Sequence, residues 1–344
     1  MRVRVGIIGY GKMGEIRARS AQGIAGIEIR SIYDAEPARI PRLRGAPSLH
    51  AIIEDPEIDA VFVCLPNFLN KQTTIAALRA GKHVFCEKPP AFTAAEVEEI
   101  MEVERASGRI LMYGFNHRHH AAVAVMKQAI DSGKYGRMLW MRGRYGKSVD
   151  SDYLTTWRSK KDLAGGGILI DQGIHMLDLF LHLSGARFDE IHALVSSRYW
   201  NMPGIEDNVF ALMRDNVTGL EVSFHSTMTQ WRHLFSLEVF LERGYLVLNG
   251  LKTSSGTYGA EELSIATNRS TAPAATWESE ARQIFDNDIS WDSEAAHFFA
   301  AIKGNGKIEF GTSAQALSVM CLVDEIYNRD RRISNVLYDK LSAE

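Results

Sequence analysis

An open, doubly wound parallel sheet, followed by an α+β half with a mostly antiparallel sheet, is the fold that this sequence predicts. Three observations predict it. Short apolar runs alternate with helix-compatible stretches through about residue 120. The first of these runs ends on a glycine-rich turn that opens a helix. In the second half, strand-like runs follow one another across short turns.

Residues 3–8 form an apolar run ending at Gly9, as suits a parallel strand buried on both faces. A helix-compatible stretch continues to about residue 25, and residues 27–33 read as a second strand ending at Asp34. Residues 58–65 are a third strand, stopped by Pro66-Asn67. Residues 73–80 are helical and end in Gly81, a residue suited to the left-handed position after a helix. Residues 83–86 make a short strand before Glu87-Lys88-Pro89-Pro90. Thr93 with Glu96 three residues on reads as a capping box, opening a helix that runs to about Gly108. Residues 109–115 are one more strand, and right-handed crossovers place the helices on both faces of the sheet.

The pattern then changes, which predicts a dinucleotide-binding domain over 1–120 and an α+β substrate-binding and oligomerisation domain over 121–344. Residues 121–131 are helical and 137–145 form a long strand. Gly165-Gly166-Gly167 leads into a helix over 172–183. Strands near 191–200, 209–214, 220–227, 234–242 and 245–248 suggest an antiparallel meander. Residues 252–290 have no legible organisation, and helices near 293–302 and 313–327 follow.

Composition bounds the function. The chain has 344 residues, 46% hydrophobic and 24% charged, with net charge -3. No basic surplus marks a nucleic-acid or anionic-membrane partner. No apolar run approaches the roughly 20 residues that span a bilayer. The opening Met1-Arg2-Val3-Arg4-Val5-Gly6 is too short and too soon glycine-rich for a signal peptide, so a cytoplasmic location is expected. The three cysteines, Cys64, Cys86 and Cys321, lack the spacing of a zinc site, and their odd number argues against a disulfide framework. Cys64 and Cys86 lie in strand-like runs and read as buried thiols of a reducing compartment.

The first strand runs directly into Gly9-Tyr10-Gly11-Lys12-Met13-Gly14, a GxGxxG turn between strand and helix. Gly9 permits the tight turn, Gly11 lets the backbone approach a pyrophosphate, and Gly14 lets helix and strand pack closely. Free N–H groups at the helix start, with Lys12 and Met13 in its first turn, then face the phosphates. Asp34 ends the next strand, 20 residues beyond Gly14, where a carboxylate accepts from ribose hydroxyls and repels a 2′-phosphate. NAD is therefore favoured over NADP, and Arg39 is the one nearby cation that works against this preference. This is the signature of a Rossmann domain.

Ligands sit at the carboxyl ends of strands in such sheets. Leu65-Pro66-Asn67 and Glu87-Lys88-Pro89 lie at predicted strand ends and are further candidates for cofactor contact, with Lys88 projecting over the same edge. In the second half, Asp171 and His175 are four residues apart and share a helix face. A carboxylate beside a histidine can hold its tautomer and raise its basicity, as proton transfer at an alcohol oxygen requires.

Together these residues resemble the Gfo/Idh/MocA oxidoreductases. The matching segments are Gly9–Gly14, Pro66-Asn67, Ala80-Gly81-Lys82-His83-Val84 with Glu87-Lys88-Pro89, Gly114-Phe115-Asn116 with Arg118, and the stretch from Gly165 to Asp178, covering about the first 185 residues. The resemblance implies a catalytic set of Lys88, Asp171 and His175. His175 would be the acid/base, Lys88 would bond the same oxygen, and Asp171 would orient substrate or His175. It also implies a homodimer or homotetramer formed through the C-terminal sheet. After Phe115 the sequence departs from the family pattern with Asn116-His117-Arg118-His119-His120. The histidine spacing is not that of a zinc site, and structural or substrate-contact roles are expected rather than metal.

Substrates of such enzymes are mostly sugars, polyols and sugar nucleotides. Asn116, Arg118, Tyr153, Trp157 and Arg158 are the candidate substrate contacts beside the catalytic set, since aromatic faces stack on sugar rings and arginine pairs with anionic groups. The expected reaction is hydride transfer at a secondary hydroxyl or keto carbon. Two alternatives stay open: an enzyme that retains NAD and oxidises only transiently during elimination or glycoside hydrolysis, and a non-catalytic dinucleotide sensor.

Overall fold

The computed structural model describes residues 2–41, 44–253, 255–268 and 276–329. In the first half, β1 (Val3–Ile8), α1 (Lys12–Gln22), β2 (Ile27–Tyr33), α2 (Leu49–Glu54), β3 (Ala60–Val63), α3 (Asn67–Arg79), β4 (His83–Cys86), α4 (Ala94–Ser107) and β5 (Leu111–Tyr113) alternate. The five strands pair in parallel in the order β2-β1-β3-β4-β5. β3 is buried at every residue, as a strand covered on both faces must be. The strand order reverses between β1 and β3, so the glycine turn after β1 and the Leu65-Pro66 turn after β3 flank the switch point of the sheet. Beyond β2, a further strand is reduced to one parallel bridge between Ile32 and Gly45.

Local chemistry sets the helix boundaries. Thr93 caps α4 by accepting from the Glu96 N–H at 3.3 Å, and Glu96 returns to the Phe92 N–H at 2.8 Å, one residue before the predicted partner. Gly108, at φ +62°, ends the helix. α3 begins at Asn67, six residues before the expected start, with Pro66 at its N-cap and the polar Asn67, Asn70, Lys71 and Gln72 in its first turns.

The second half contains α5 (Ala121–Asp131), β6 (Met138–Ser148), α6 (Lys161–Ala164), α7 (Ile174–Ser184), β7 (Glu190–Ser196), β8 (Asn208–Arg214), β9 (Glu221–Thr227), β10 (Thr229–Leu241), β11 (Gly244–Asn249), β12 (Glu261–Thr267) and β13 (Ala281–Phe285). The strands form one sheet in the order β13-β12-β11-β10-β6-β9-β8-β7. This is two antiparallel meanders joined by β6, which runs antiparallel to β10 but parallel to β9. The simple meander expected from short turns is corrected in that one respect. The unorganised stretch after residue 252 supplies β12 and β13.

Alternation along β8 buries Val209, Ala211 and Met213 and exposes Phe210 and Leu212. The covered face lies under α7, where Gly143 has no room for a side chain: a Cβ there would stand 2.5 Å from Met176 Sδ and 2.6 Å from Phe180 Cζ. Two further helices follow β13: α8 (Ser290–Ile302) and α9 (Ser313–Arg329).

Contacts divide the chain into two compact units. The first is Met1–His119 with Ile289–Met320, and the second is His120–Asp288 with the chain from Cys321. α8 thus completes the first unit, whose core gathers Phe62, Phe85, Phe298 and Phe299 at ring separations of 5.3 to 5.9 Å. Each such ring contributes roughly 1.5–3 kcal/mol by burial. No described helix is long and apolar enough to cross a membrane.

Candidate active site

In the first unit, the three glycines of the turn have separable roles. Gly9 sits at φ +92°, and a Cβ on it would collide with the Cys64 carbonyl. A Cβ on Gly14 would collide with the Gly9 carbonyl oxygen. Gly11 is different: its Cβ would meet only Arg39 Nη1, at 4.0 Å. Among the described residues nothing crowds a side chain there. Gly11 is also the N-cap of α1 and offers no side-chain cap to the first-turn N–H groups of Lys12, Met13 and Gly14, the kind of helix start at which anions are favoured.

Asp34, at the end of β2, accepts from the Tyr10 N–H at 2.6 Å and the Glu36 N–H at 2.8 Å. Each oxygen keeps a further lone pair. Arg39 Nη1 stands 3.7 Å from Asp34 Oδ1, and Arg39 Nη2 is 2.9 Å from Glu36. Arg39, the nearby cation that works against NAD, is therefore held by two carboxylates. Beside them lies a cleft of about 640 Å³ lined by Tyr33, Asp34, Pro37, Ile40 and Pro47.

The Glu87-Lys88-Pro89 segment follows β4, and the Lys88–Pro89 bond is cis. Asn70 on α3, fully buried, donates to the carbonyls of Glu87 at 3.3 Å and Pro89 at 2.9 Å, bracketing half-buried Lys88. The Glu87 side chain points inward, to Arg17 of α1 at 2.7 Å. Arg17 is completely buried, 2.6 Å from Glu294 and stacked over Phe85. Burial alone would lower its pKa, but Glu294 and Glu87 outweigh that and raise it. Leu65 and Pro66 are half-buried after β3, and Asn67 opens α3 nearly buried. Asn116 Nδ2 donates to Ser290 Oγ at 3.1 Å, and its Oδ1 meets His117 Nδ1 at 3.1 Å. Arg118 is buried in the same turn.

The three histidines after Asn116 diverge. His117 faces Asn116, His119 lies 3.2 Å from Ser293 Oγ, and His120 pairs with Glu261 at 2.8 Å within the second unit. Among the described residues, no three His, Cys, Asp or Glu side chains gather as a metal site.

In the second unit, Asp171 and His175 stand where the helix changes its winding. Residues Leu169–Gly173 form a π-helical turn, with the Ile174 N–H reaching back to the Leu169 carbonyl, before α7 begins. The sequence reading expected an α-helix over 172–183; the extra residue in the turn shifts the faces of Asp171 and His175 from simple α register. His175 is buried, and its ring lies 6.3 Å from that of Tyr145, which contacts Tyr258 at 5.4 Å. Burial pushes the phenols of Tyr145, Tyr153 and Tyr258 above their usual range, so they stay neutral donors. Asp171 is flanked by cations: Lys147 Nζ on β6 at 3.1 Å and Arg158 Nε at 3.8 Å. Arg158 in turn covers the Trp157 ring at 4.3 Å.

Lys147 is not among the sequence-predicted residues: it lies two residues beyond the predicted end of the strand, where the alternation of β6 has already lapsed. Also missed was Glu206, which organises the triple glycine. Its carboxylate accepts from the N–H groups of Gly167 at 2.7 Å and Leu169 at 2.9 Å and from Tyr327 Oη at 2.9 Å. A Cβ on Gly167 would strike the Glu206 carbonyl, and one on Gly166 the Tyr327 hydroxyl. Two glycines thus make room for the buried cap that seats the Asp171 turn.

Comparison with known proteins identifies the family and the fold. Residues 3–115 match the model of an oxidoreductase family described by its NAD-binding Rossmann fold, and residues 123–247 match the GFO/IDH/MocA C-terminal domain. The chain is 30% identical over 262 residues to 1,5-anhydro-D-fructose reductase of Ensifer adhaerens, covering 76% of this chain and 74% of that protein. It is 26% identical to myo-inositol 2-dehydrogenase of Thermotoga maritima, covering 74% and 77%. A solved levoglucosan dehydrogenase in complex with NADH superposes with a TM-score of 0.83 at 25% identity, over 96% of this chain and 98% of that one.

Proposed function

The chain belongs to the Gfo/Idh/MocA family of NAD-binding oxidoreductases, and from that premise we propose that it transfers hydride between NAD and a secondary hydroxyl or keto carbon of a sugar or polyol. The observation that carries the reading is the contrast among the turn glycines: Gly9 and Gly14 are required by the protein, whereas Gly11 faces open space at an uncapped helix start. The pyrophosphate would lie on the N–H groups of Lys12, Met13 and Gly14, and the adenosine ribose would lie on Asp34. Leu65, Pro66, Asn67 and the Glu87-Lys88 backbone line the nicotinamide end. NAD, when bound, supplies the acceptor or donor of the hydride.

The protein's own part is the proton and the charge. His175 takes the hydroxyl proton during oxidation and returns it during reduction. The Lys88 ammonium stabilises negative charge developing on the same oxygen. Asp171, fixed by Lys147 and Arg158, orients the substrate or His175. Asn116, Arg118, Trp157 and Arg158 belong to substrate recognition in this reading. The open face of the eight-stranded sheet joins two or four copies, with Trp140, Leu194, Phe210 and Leu212 as its exposed apolar residues. A reducing, cytoplasmic setting suits Cys86, whose thiol burial pushes up to about 12 and makes inert.

The test is NADH absorbance with NAD and a panel of sugars, polyols and sugar nucleotides, wild type beside His175→Ala. A substrate-dependent rise lost in the variant supports the reading. A flat trace from protein shown separately to bind NAD overturns net dehydrogenation, in favour of transient oxidation on a retained cofactor.

A further inference from the structure

β10 does not run straight. Thr229 pairs with Ser148 and Leu234 with Gly146, so the chain between them bulges out opposite Lys147. The bulge is closed by Gln230 Nε2 donating to the Arg232 carbonyl at 2.8 Å. At its tip Trp231 adopts φ +56°, a region that bulky L-residues avoid, while its side chain remains 59% exposed. Strain at a core residue can be offset by burial, but here the indole is turned to solvent.

Trp231 has ring neighbours. Tyr199 stands edge-on at 4.8 Å and Trp200 at 6.2 Å, and these two contact each other at 5.1 Å. The group is firmly framed. Buried Asp207 accepts from the N–H groups of Arg198 at 2.8 Å, Tyr199 at 2.8 Å and Trp200 at 3.0 Å, and Trp200 Nε1 donates to the Met228 carbonyl at 3.2 Å. Asp207 directly follows Glu206, the cap of the Asp171 turn. The same bulge carries His233, whose ring meets Tyr258 at 4.7 Å, and Tyr258 leads through Tyr145 to His175.

We propose that Tyr199, Trp200 and Trp231 form a preorganised platform that stacks a second saccharide ring, so that the enzyme takes a glycoside or disaccharide. The inference rests on the sugar-oxidoreductase reading for the ring that reacts. Rigid aromatic faces bind the C–H surfaces of pyranoses without losing rotamer freedom on association. A protein partner is the less favoured occupant, because the exposed apolar residues that suit one lie on the flat sheet face, with Leu194 and Phe210 in register.

Calorimetric titration of the full chain with cellobiose, maltose, sucrose, trehalose and glucose, NAD present, tests this. Wild type binds at least one disaccharide more tightly than glucose. Trp231→Ala and Tyr199→Ala weaken that disaccharide about tenfold and leave glucose and NAD unchanged. Equal disaccharide affinity in the variants, or no disaccharide bound more tightly than glucose by wild type, overturns the proposal. So does a fall in assembly mass by light scattering in Trp231→Ala, which would make the platform a protein contact. Trp231-dependent disaccharide binding with no NADH formed would leave the platform standing and overturn the dehydrogenase reading instead.

Discussion

Lys147 Nζ lies 3.1 Å from Asp171 Oδ2, joining the end of a strand to the π-helical turn that precedes α7. Both side chains are largely buried, at 20% and 15% exposure, so the pair is screened less than a surface ion pair. Lys147→Met removes the nearer of the two cations that hold Asp171. The expected result is a fall in kcat/KM of about a hundredfold with NAD affinity unchanged, and partial recovery in Lys147→Arg. Steady-state kinetics beside NAD titration reads both. An unchanged kcat/KM would remove Lys147 from the positioning of Asp171.

The glycine turn yields a paired prediction. Gly14→Ala places a methyl into the Gly9 carbonyl and destabilises the fold by roughly 1–3 kcal/mol, seen as a lowered Tm. Gly11→Ala meets no atom of the described residues closer than 4.0 Å, so Tm holds while NAD affinity falls about tenfold. If Gly11→Ala bound NAD as wild type does, the pyrophosphate would not lie on this turn.

Glu261 makes the second unit acid-sensitive. Burial pushes its carboxyl up. The hydrogen bond and charge of His120, with the N–H groups of Ala122 and Lys252, outweigh burial and hold the carboxyl below the ordinary value of 4.5. A depressed carboxylate contributes stability that is present above its unfolded value and lost as pH falls through the folded one. Unfolding followed against pH is therefore expected to show a loss beginning below about pH 4.5, flattened in Glu261→Gln. A wild-type curve parallel to that of the variant would contradict the assignment.

The sheet face gives a prediction on assembly. Leu212 is 61% exposed and borders a groove of about 370 Å³ with Trp140, Arg142 and His192. Leu212→Arg is expected to lower the mass measured by light scattering to that of one chain, with far-UV circular dichroism unchanged. A mass unaltered by the substitution would move the proposed interface elsewhere.

The strand order of the first half was legible because its signals are local, whereas the return of α8 to the first unit was not. A buried parallel strand is an unbroken apolar run, and a turn glycine declares itself where a carbonyl crosses close by, as at Gly9 and Gly14. The Glu87–Arg17–Glu294 group was not legible, because its members stand 70 or more residues apart and each reads alone as a surface charge. One trace was available: Arg17 sits beside Ile16 and Ala18 among the buried positions of α1, where a charge must find partners. Asp171 and His175 were found by spacing, but the π-helical turn depends on the cap from Glu206, 37 residues away from Leu169, and no periodicity announces it. Lys147 and the β10 bulge arise from strand register, which pattern alone leaves undetermined.

Glu206 and Asp207 hold their two turns through main-chain N–H groups: Gly167 and Leu169 in one, Arg198, Tyr199 and Trp200 in the other. An anchor of that kind is indifferent to the side chains it carries. The side chain at 199 can therefore be exchanged while the path of the loop stays as it is, whereas Trp200 is also held through its Nε1 on the Met228 carbonyl. The neighbouring Glu206 meanwhile keeps the Asp171 turn in place. On the proposed reading, two consecutive acids would separate what the protein reacts with from how it reacts, which would make this loop an interchangeable cassette through which selection or design can retune the accepted molecule without rebuilding the rest.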